Sequence, residues 1–208
     1  MDTPDLPTPL TAQEHTDPLR KLTRQLAGHL ADQLRIHPRP PVEQIVGGGL
    51  ARLRQTISTY RHGTAIDDAT AIRLAMDLQI VRIRDEAWLA VQAEPAAMTT
   101  MLLDVARRTQ PAFLAPVGSL RALAAWCQGE LDVAKRAVAE VLAVSPFYSM
   151  AQLLKLALHV GAHPETLRVR LPLPAELDLF MGPPRQEWLQ HLQRSLTVYL
   201  DAAGSAKG

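Results

Sequence analysis

The string VRIRDEAW, residues 81–88, is the densest polar cluster inside an otherwise apolar stretch. Arg82, Arg84 and Asp85 are its candidate contacts. A pair of planar guanidinium groups can hold an anionic ligand or an acidic partner. The plainer alternative, a salt-bridge cluster that orients two helices, weighs more. Asp85 and Glu86 are neighbours and point in different directions on a helix, so they form no obvious acid–base dyad.

Other chemistry-bearing residues are sparser. Gly47, Gly48 and Gly49 could present backbone amides to a phosphate at a helix start. The residues that follow, LARLR, lack the lysine and hydroxyl of a phosphate loop, so a flexible joint or a close helix crossing is the better expectation. His159 and His163 have i,i+4 spacing, but Gly161 and Pro164 interrupt the helix and no acid or cysteine completes a metal set. None of the seven histidines sits in a nucleophile–base signature. Ser119 and Ser149 read as helix caps. Cys127, the single cysteine, reads as a small buried residue beside Trp126. No catalytic residue, cofactor site or metal site is assigned.

Charge is uneven along the chain. Residues 1–17 carry four acids and no Lys or Arg, whereas residues 18–63 carry eight basic and two acidic residues. Arg20, Lys21, Arg24, Arg52, Arg54 and Arg61 are therefore the candidate nucleic-acid contacts. Phosphate binding needs several such groups on one surface. No helix-turn-helix, zinc or aromatic stacking motif accompanies them, and a solvated face is the competing reading. Trp188, Leu192, Leu196 and Tyr199 form an apolar stripe on the last helix. It can dock on its own domain or pair with another chain; the first carries more weight, and the second makes these four the candidate oligomer contacts.

These residues need elements to hold them. Asp17 and Pro18 open a helix with an apolar stripe at Leu19, Leu22, Leu26, Leu30 and Leu34, and the string HPRPP stops it near Ile36. A second helix is expected over residues 42–60, interrupted or divided by its three glycines. Asp67 and Asp68 begin a third. Residues 79–91 alternate locally like a strand, but a turn followed by a helix fits the helical neighbours better. A helix over 96–109 precedes a connector, PAFLAP. Then come two helices joined at Gly129, with Ala122, Ala125, Ala134 and Ala137 allowing close approach, the second over 131–144. One more helix runs over 148–160, and the last over 185–202.

Apolar residues make up 47% of the 208 and aromatics only 4%, so the core must be Leu, Ala and Val, which favours closely packed helices. The net charge of +1 argues against a strongly electrostatic nucleic-acid or membrane protein overall. No run approaches a membrane span, and the acidic, Pro-rich start has no secretory character, so a cytoplasmic location is the default.

Gly129, Ala134 and Pro146 are spaced like the turn glycine, second-helix alanine and terminal proline of a tetratricopeptide repeat. More specifically, DDATAIRLAMDLQIVRIRDEAW and APVGSLRALAAWCQGELDVAKRAVAEVLAVSPFYSMAQLLKLALHVGAHPETL resemble the helical C-terminal half of domain of unknown function 4192, a family typical of actinobacteria. The acidic start departs from that family, and the chain reads as a shortened member. The resemblance implies a helical fold and brings no activity with it.

The expected molecule is all-α, a compact array of antiparallel helical hairpins. Residues 1–16 are expected to be a disordered arm, 17–168 a helical domain, 169–184 a Pro-rich connector, 185–202 an amphipathic helix and 203–208 a frayed tail. The expected role is a non-enzymatic protein–protein interaction or adaptor module with a protein partner or homodimer. A nucleic-acid accessory role through residues 18–63 and an anionic-ligand binder or enzyme at Arg82 and Arg84 are the alternatives.

Overall fold

The starts of several helices can be traced to local chemistry. In a computed structural model that describes residues 17–36, 42–168 and 176–205, α1 spans Asp17–Ile36, with Pro18 in its first turn where no N–H is needed. The expected arm of residues 1–16, residues 37–41, the first seven residues (169–175) of the expected connector over 169–184 and the final residues 206–208 lie outside the described residues. The apolar stripe of α1 buries Ala27, Leu30 and Leu34 against α3 and the last helix, leaving Arg20 and Lys21 exposed.

Helix α2, Val42–Arg61, runs unbroken through Gly47, Gly48 and Gly49. This corrects the expected interruption. Each glycine costs a helix about 1 kcal/mol relative to alanine, but α2 packs on α3, α4 and α5, and tertiary contact outweighs local propensity. Gly49 has a specific reason. A Cβ there would stand 2.3 Å from Ile83 Cδ1 and 3.3 Å from Asp77 Cγ. Gly47 and Gly48 face open space, and nothing in the structure explains their identity. We therefore expect Gly48→Ala to stabilise the fold by about 0.5–1 kcal/mol. Gly49→Ala should destabilise it by about 1–2 kcal/mol, because overpacking exceeds the propensity gain. Urea unfolding of the two variants checks the opposite signs.

Helix α3, Asp68–Asp77, is capped by Asp67, whose Oδ1 accepts from the Thr70 N–H at 2.7 Å. A buried turn, Leu78–Ile80, leads into α4, Val81–Ala93. The alternating stretch is thus the turn and first turns of a helix, with no strand among the described residues. Helix α5, Pro95–Arg108, buries Met98, Met101, Leu102 and Val105. A 3-10 turn, Pro111–Phe113, then passes directly into α6, Leu114–Cys127.

The PAFLAP string is therefore helical for most of its length, not a connector. Pro116 sits in the first turn of α6, where proline is tolerated. Ser119 is no cap: it lies inside α6 and donates to the Ala115 carbonyl at 2.8 Å. Every residue from Ala115 to Trp126 is buried, so α6 is the central rod of the array. It pairs with α7, Leu131–Val144, through fully buried Ala122, Ala125, Ala134 and Ala137. The joint requires Gly129 at φ +80°, a conformation other residues adopt at a cost. Helix α8, Ser149–His159, follows, with Ser149 as its first residue and not its cap. Short helices α9 (Glu165–Arg168) and α10 (Leu177–Met181) precede a second 3-10 turn, Gln186–Leu189.

The last helix, α11, spans Gln190–Ser205 and docks on its own chain against α1. Trp188, Leu192 and Leu196 are buried there, and half-buried Tyr199 stacks obliquely on Phe113 with ring centroids 5.4 Å apart. Within one chain, Trp188, Leu192 and Leu196 are thus buried in cis and are not presented to a second copy. Gln79 locks the same joint. Its Nε2 donates to the Phe113 carbonyl at 2.9 Å, and its Oε1 accepts from Ser195 at 3.4 Å.

Candidate functional site

The basic residues of α2 do not share an open face. Arg52 Nε donates to Asp77 Oδ2 at 2.7 Å, Arg54 grips both Glu86 oxygens at 2.6 and 3.1 Å, and Arg61 Nε meets Glu94 at 2.6 Å. The pairs bridge α2 to the end of α3, to α4 and to the α4–α5 junction at Glu94. Arg24 donates to the Ala203 carbonyl at 3.2 Å, tying α1 to the end of α11. Of the six candidate nucleic-acid contacts, Arg20 and Lys21 stand exposed on α1 without such a bridge among the described residues.

Arg82 and Arg84 also part company. Arg82 is 1% exposed and filled in on all sides: Nη1 meets Glu86 at 2.8 Å and Nε meets Asp178 of α10 at 2.9 Å. Burial alone would raise the Glu86 carboxyl, but hydrogen bonds from Arg54 and Arg82 hold its pKa below the usual range. Arg82 therefore has no free N–H fork for a ligand and acts as a structural tie, which corrects its reading as a ligand contact. Arg84 is half-buried and donates to Asp85 Oδ1 through Nε at 3.0 Å and Nη2 at 2.8 Å. It lines two concavities, one toward Trp88 and Leu153, the other toward Tyr148 and α11.

His159 is exposed at the end of α8, and His163 lies beyond Gly161, its Nδ1 accepting from the Glu165 N–H at 3.3 Å. Among the described residues, no three His, Cys, Asp or Glu side chains gather as a metal set. Cys127 is half-buried at the end of α6.

A different surface stands out. On α8, Met150, Ala151 and Leu154 are buried, yet Leu153, Leu156 and the C-terminal cap residue Val160 are 65%, 58% and 65% exposed. The spacing i, i+3, i+7 puts these three on one outward stripe. On the other flank of α8 a groove of about 560 Å³ runs between α7 and α8, lined by Val138, Ala139, Leu142 and Leu158 with Lys135, Lys155 and His159; none of the three stripe residues lines it, and Leu153 lines the concavity toward Arg84 and Trp88 instead. Two of the chain's four lysines stand at this groove, and no carboxylate is among its described lining. The clue was present in SMAQLLKLALH, whose leucines are too many for one helix face.

Helix α8 is the outermost member of the α6–α7–α8 stack. The fold is thus an all-α helical-array domain with an apolar end face. The chain belongs to the family described as Domain of unknown function (DUF4192), whose family model matches residues 5–165. That span takes in most of the acidic start, which the motif resemblance had set apart, and stops before α10 and α11. No curated protein and no solved structure matches the chain. Among the described residues, no helix is long and apolar enough to cross a membrane.

Proposed function

We propose that the domain is a protein-interaction module that docks an apolar helix flanked by acidic side chains onto α7 and α8. The observation that carries this is the exposed face of α8, which offers the stripe Leu153, Leu156 and Val160 on one flank and, on the other, the α7–α8 groove with its basic side chains. Large apolar side chains grouped on a surface mark an interaction site far more often than single ones do. An amphipathic helix laid in the groove would anchor through residues at helical spacing. Lys135, Lys155 and His159 select acids at the flanks of that helix and bias the approach of an acidic partner. The tetratricopeptide-like spacing of the α6–α7 hairpin agrees with a scaffold that leaves one helical face open.

The test pairs a photo-crosslinking residue at Leu156 with one at exposed Arg107, in the full chain and in its native cells. We expect one acidic partner captured from position 156 and not from 107. The variant L153D/L156D should lose it while changing folding stability by no more than about 0.5 kcal/mol, since both side chains face solvent. Identical capture at both positions would sink the reading. So would capture of a second copy of this chain, which would make the face a homodimer seam.

A further inference from the structure

A second surface lies behind Arg84 and shares no lining residue with the α7–α8 groove. Here the first turn of α4, the 145–148 loop and the start of α11 line an open concavity of about 420 Å³. That lies in the usual size range of small-molecule sites. Arg84 enters it from α4, and His191 and Arg194 enter from α11. Trp188, Pro146 and Phe147 supply apolar wall, and Phe147 is 95% exposed. Such a wall with a few converging polar groups is the usual make-up of a ligand site.

Two observations mark the place as unfinished. Arg194 is exposed and has no ion-pair partner among the described residues, unlike Arg52, Arg54, Arg61, Arg82 and Arg84. Tyr148 is 8% exposed and its ring stacks on His191 at 5.8 Å and 24°. Its buried Oη makes no aligned hydrogen bond, although the Arg84 guanidinium is its neighbour. With the Arg84 guanidinium as a donor neighbour, the Oη proton still lacks an acceptor, which is costly when buried, and an anion at Arg84 would supply one nearby.

We infer that this concavity binds a small organic anion, its carboxylate or phosphate head held by Arg84, His191 and Arg194 and its apolar body against Trp188 and Phe147. Asp85 already takes part of the Arg84 charge and Glu187 stands at the rim, so the site suits one compact anion and not a polyanion. Binding is coupled to a proton. The charged and titratable groups around His191 are Arg84 and Asp85 on α4, Tyr148 on the loop, Glu187 on the 3-10 turn and Arg194 on α11. Burial, then Arg194 and Arg84, hold the His191 pKa below its ordinary value. A bound anion reverses the arginines' effect, so the imidazole takes up a proton on binding and affinity rises as pH falls.

The test uses the full chain with benzoate, phenyl phosphate and inorganic phosphate, and with benzamide as the neutral counterpart of benzoate. Trp188 fluorescence and calorimetry follow binding. At least one of benzoate and phenyl phosphate should bind, and their ranking tells a carboxylate site from a phosphate site. Benzamide should be weaker by roughly tenfold or more, the value of a charge-assisted contact. R194Q, a change on an exposed helix face that should leave unfolding unaltered, should weaken the anion by a similar factor. Affinity in the wild-type protein should rise between pH 8 and 6, with the His191 imidazole titrating higher in the complex by NMR. No binding of either aryl anion, equal binding of benzamide, binding of inorganic phosphate as tight as phenyl phosphate, or an R194Q protein that binds as well as wild type each overturns the inference. None of these outcomes touches the α7–α8 docking face.

Discussion

Asp77→Asn is expected to lower the unfolding free energy by about 3 kcal/mol. The Asp77 side chain is fully buried at the end of α3. Its Oδ2 accepts from Arg52 Nε on α2 at 2.7 Å, and its Oδ1 from Arg73 Nε at 3.1 Å. Both are charge-assisted bonds, roughly twice as strong as neutral ones. The asparagine keeps the shape but removes the charge and turns one acceptor into a donor facing a guanidinium. The two arginine side chains are 31% and 18% exposed, so water recovers part of what they lose, which keeps the effect toward the lower end for a broken buried pair. Arg52→Ala and Arg73→Ala should each cost less, because Asp77 then keeps one cation. The Gly49 notch makes this joint possible, since a side chain there would press on Asp77. Urea unfolding reads the effect as a midpoint shift at unchanged slope. A loss under about 1 kcal/mol would mean that Asp77 tolerates neutralisation and that the joint is held by apolar packing instead.

Much of this could be read from local sequence, and the exceptions share a cause. The bounds of α1 follow from Pro18 and the prolines after Ile36, and the Gly129 joint follows from its turn chemistry. The continuity of α2 does not, because the glycine penalty is local while the compensating contacts with Ile83 and Asp77 are tertiary. Pro116 looked like a stop because a first-turn proline and a loop proline are the same letter. The pairing of the positive window over residues 18–63 is hidden for a related reason. Its partner acids lie further along the chain, Asp77 on α3, Glu86 on α4 and Glu94 between α4 and α5, so charge per window is not charge per surface. The pair at Arg82 and Arg84 stood out in sequence, and so did Glu86, one helical turn on. Asp178, 96 residues from Arg82, did not, nor did the meeting of Arg84 with Tyr148, His191 and Arg194. The stripe Trp188, Leu192, Leu196 was plain, but periodicity is the same whether a helix docks in cis or in trans.

Arg82→Met should cost about 3 kcal/mol at neutral pH, and the cost should shrink in acid. The methionine fills most of the aliphatic volume but leaves Glu86 one cation short. Arg54 still grips Glu86 in a fork, which caps the loss. Asp178 is 78% exposed, so its lost bond adds little. Arg54→Ala should cost only about 1 kcal/mol, because the Arg54 side chain is 63% exposed and already solvated. The pH dependence has a definite sign. The folded-state carboxyl of Glu86 is depressed, so its contribution is present above the ordinary glutamate value of about 4.3 and is lost as pH falls through the lower folded value. Without Arg82, burial opposes Arg54 alone and the folded value climbs. The gap between wild type and variant is therefore full near pH 7 and narrows below about pH 4. A gap that stays constant from pH 7 to 3 would show a pure packing defect. Arg84 lies two residues on, about 200° around α4, and faces the other way. Arg82→Met should accordingly leave the benzoate and phenyl phosphate titrations unchanged, a split that general loosening of α4 would not produce.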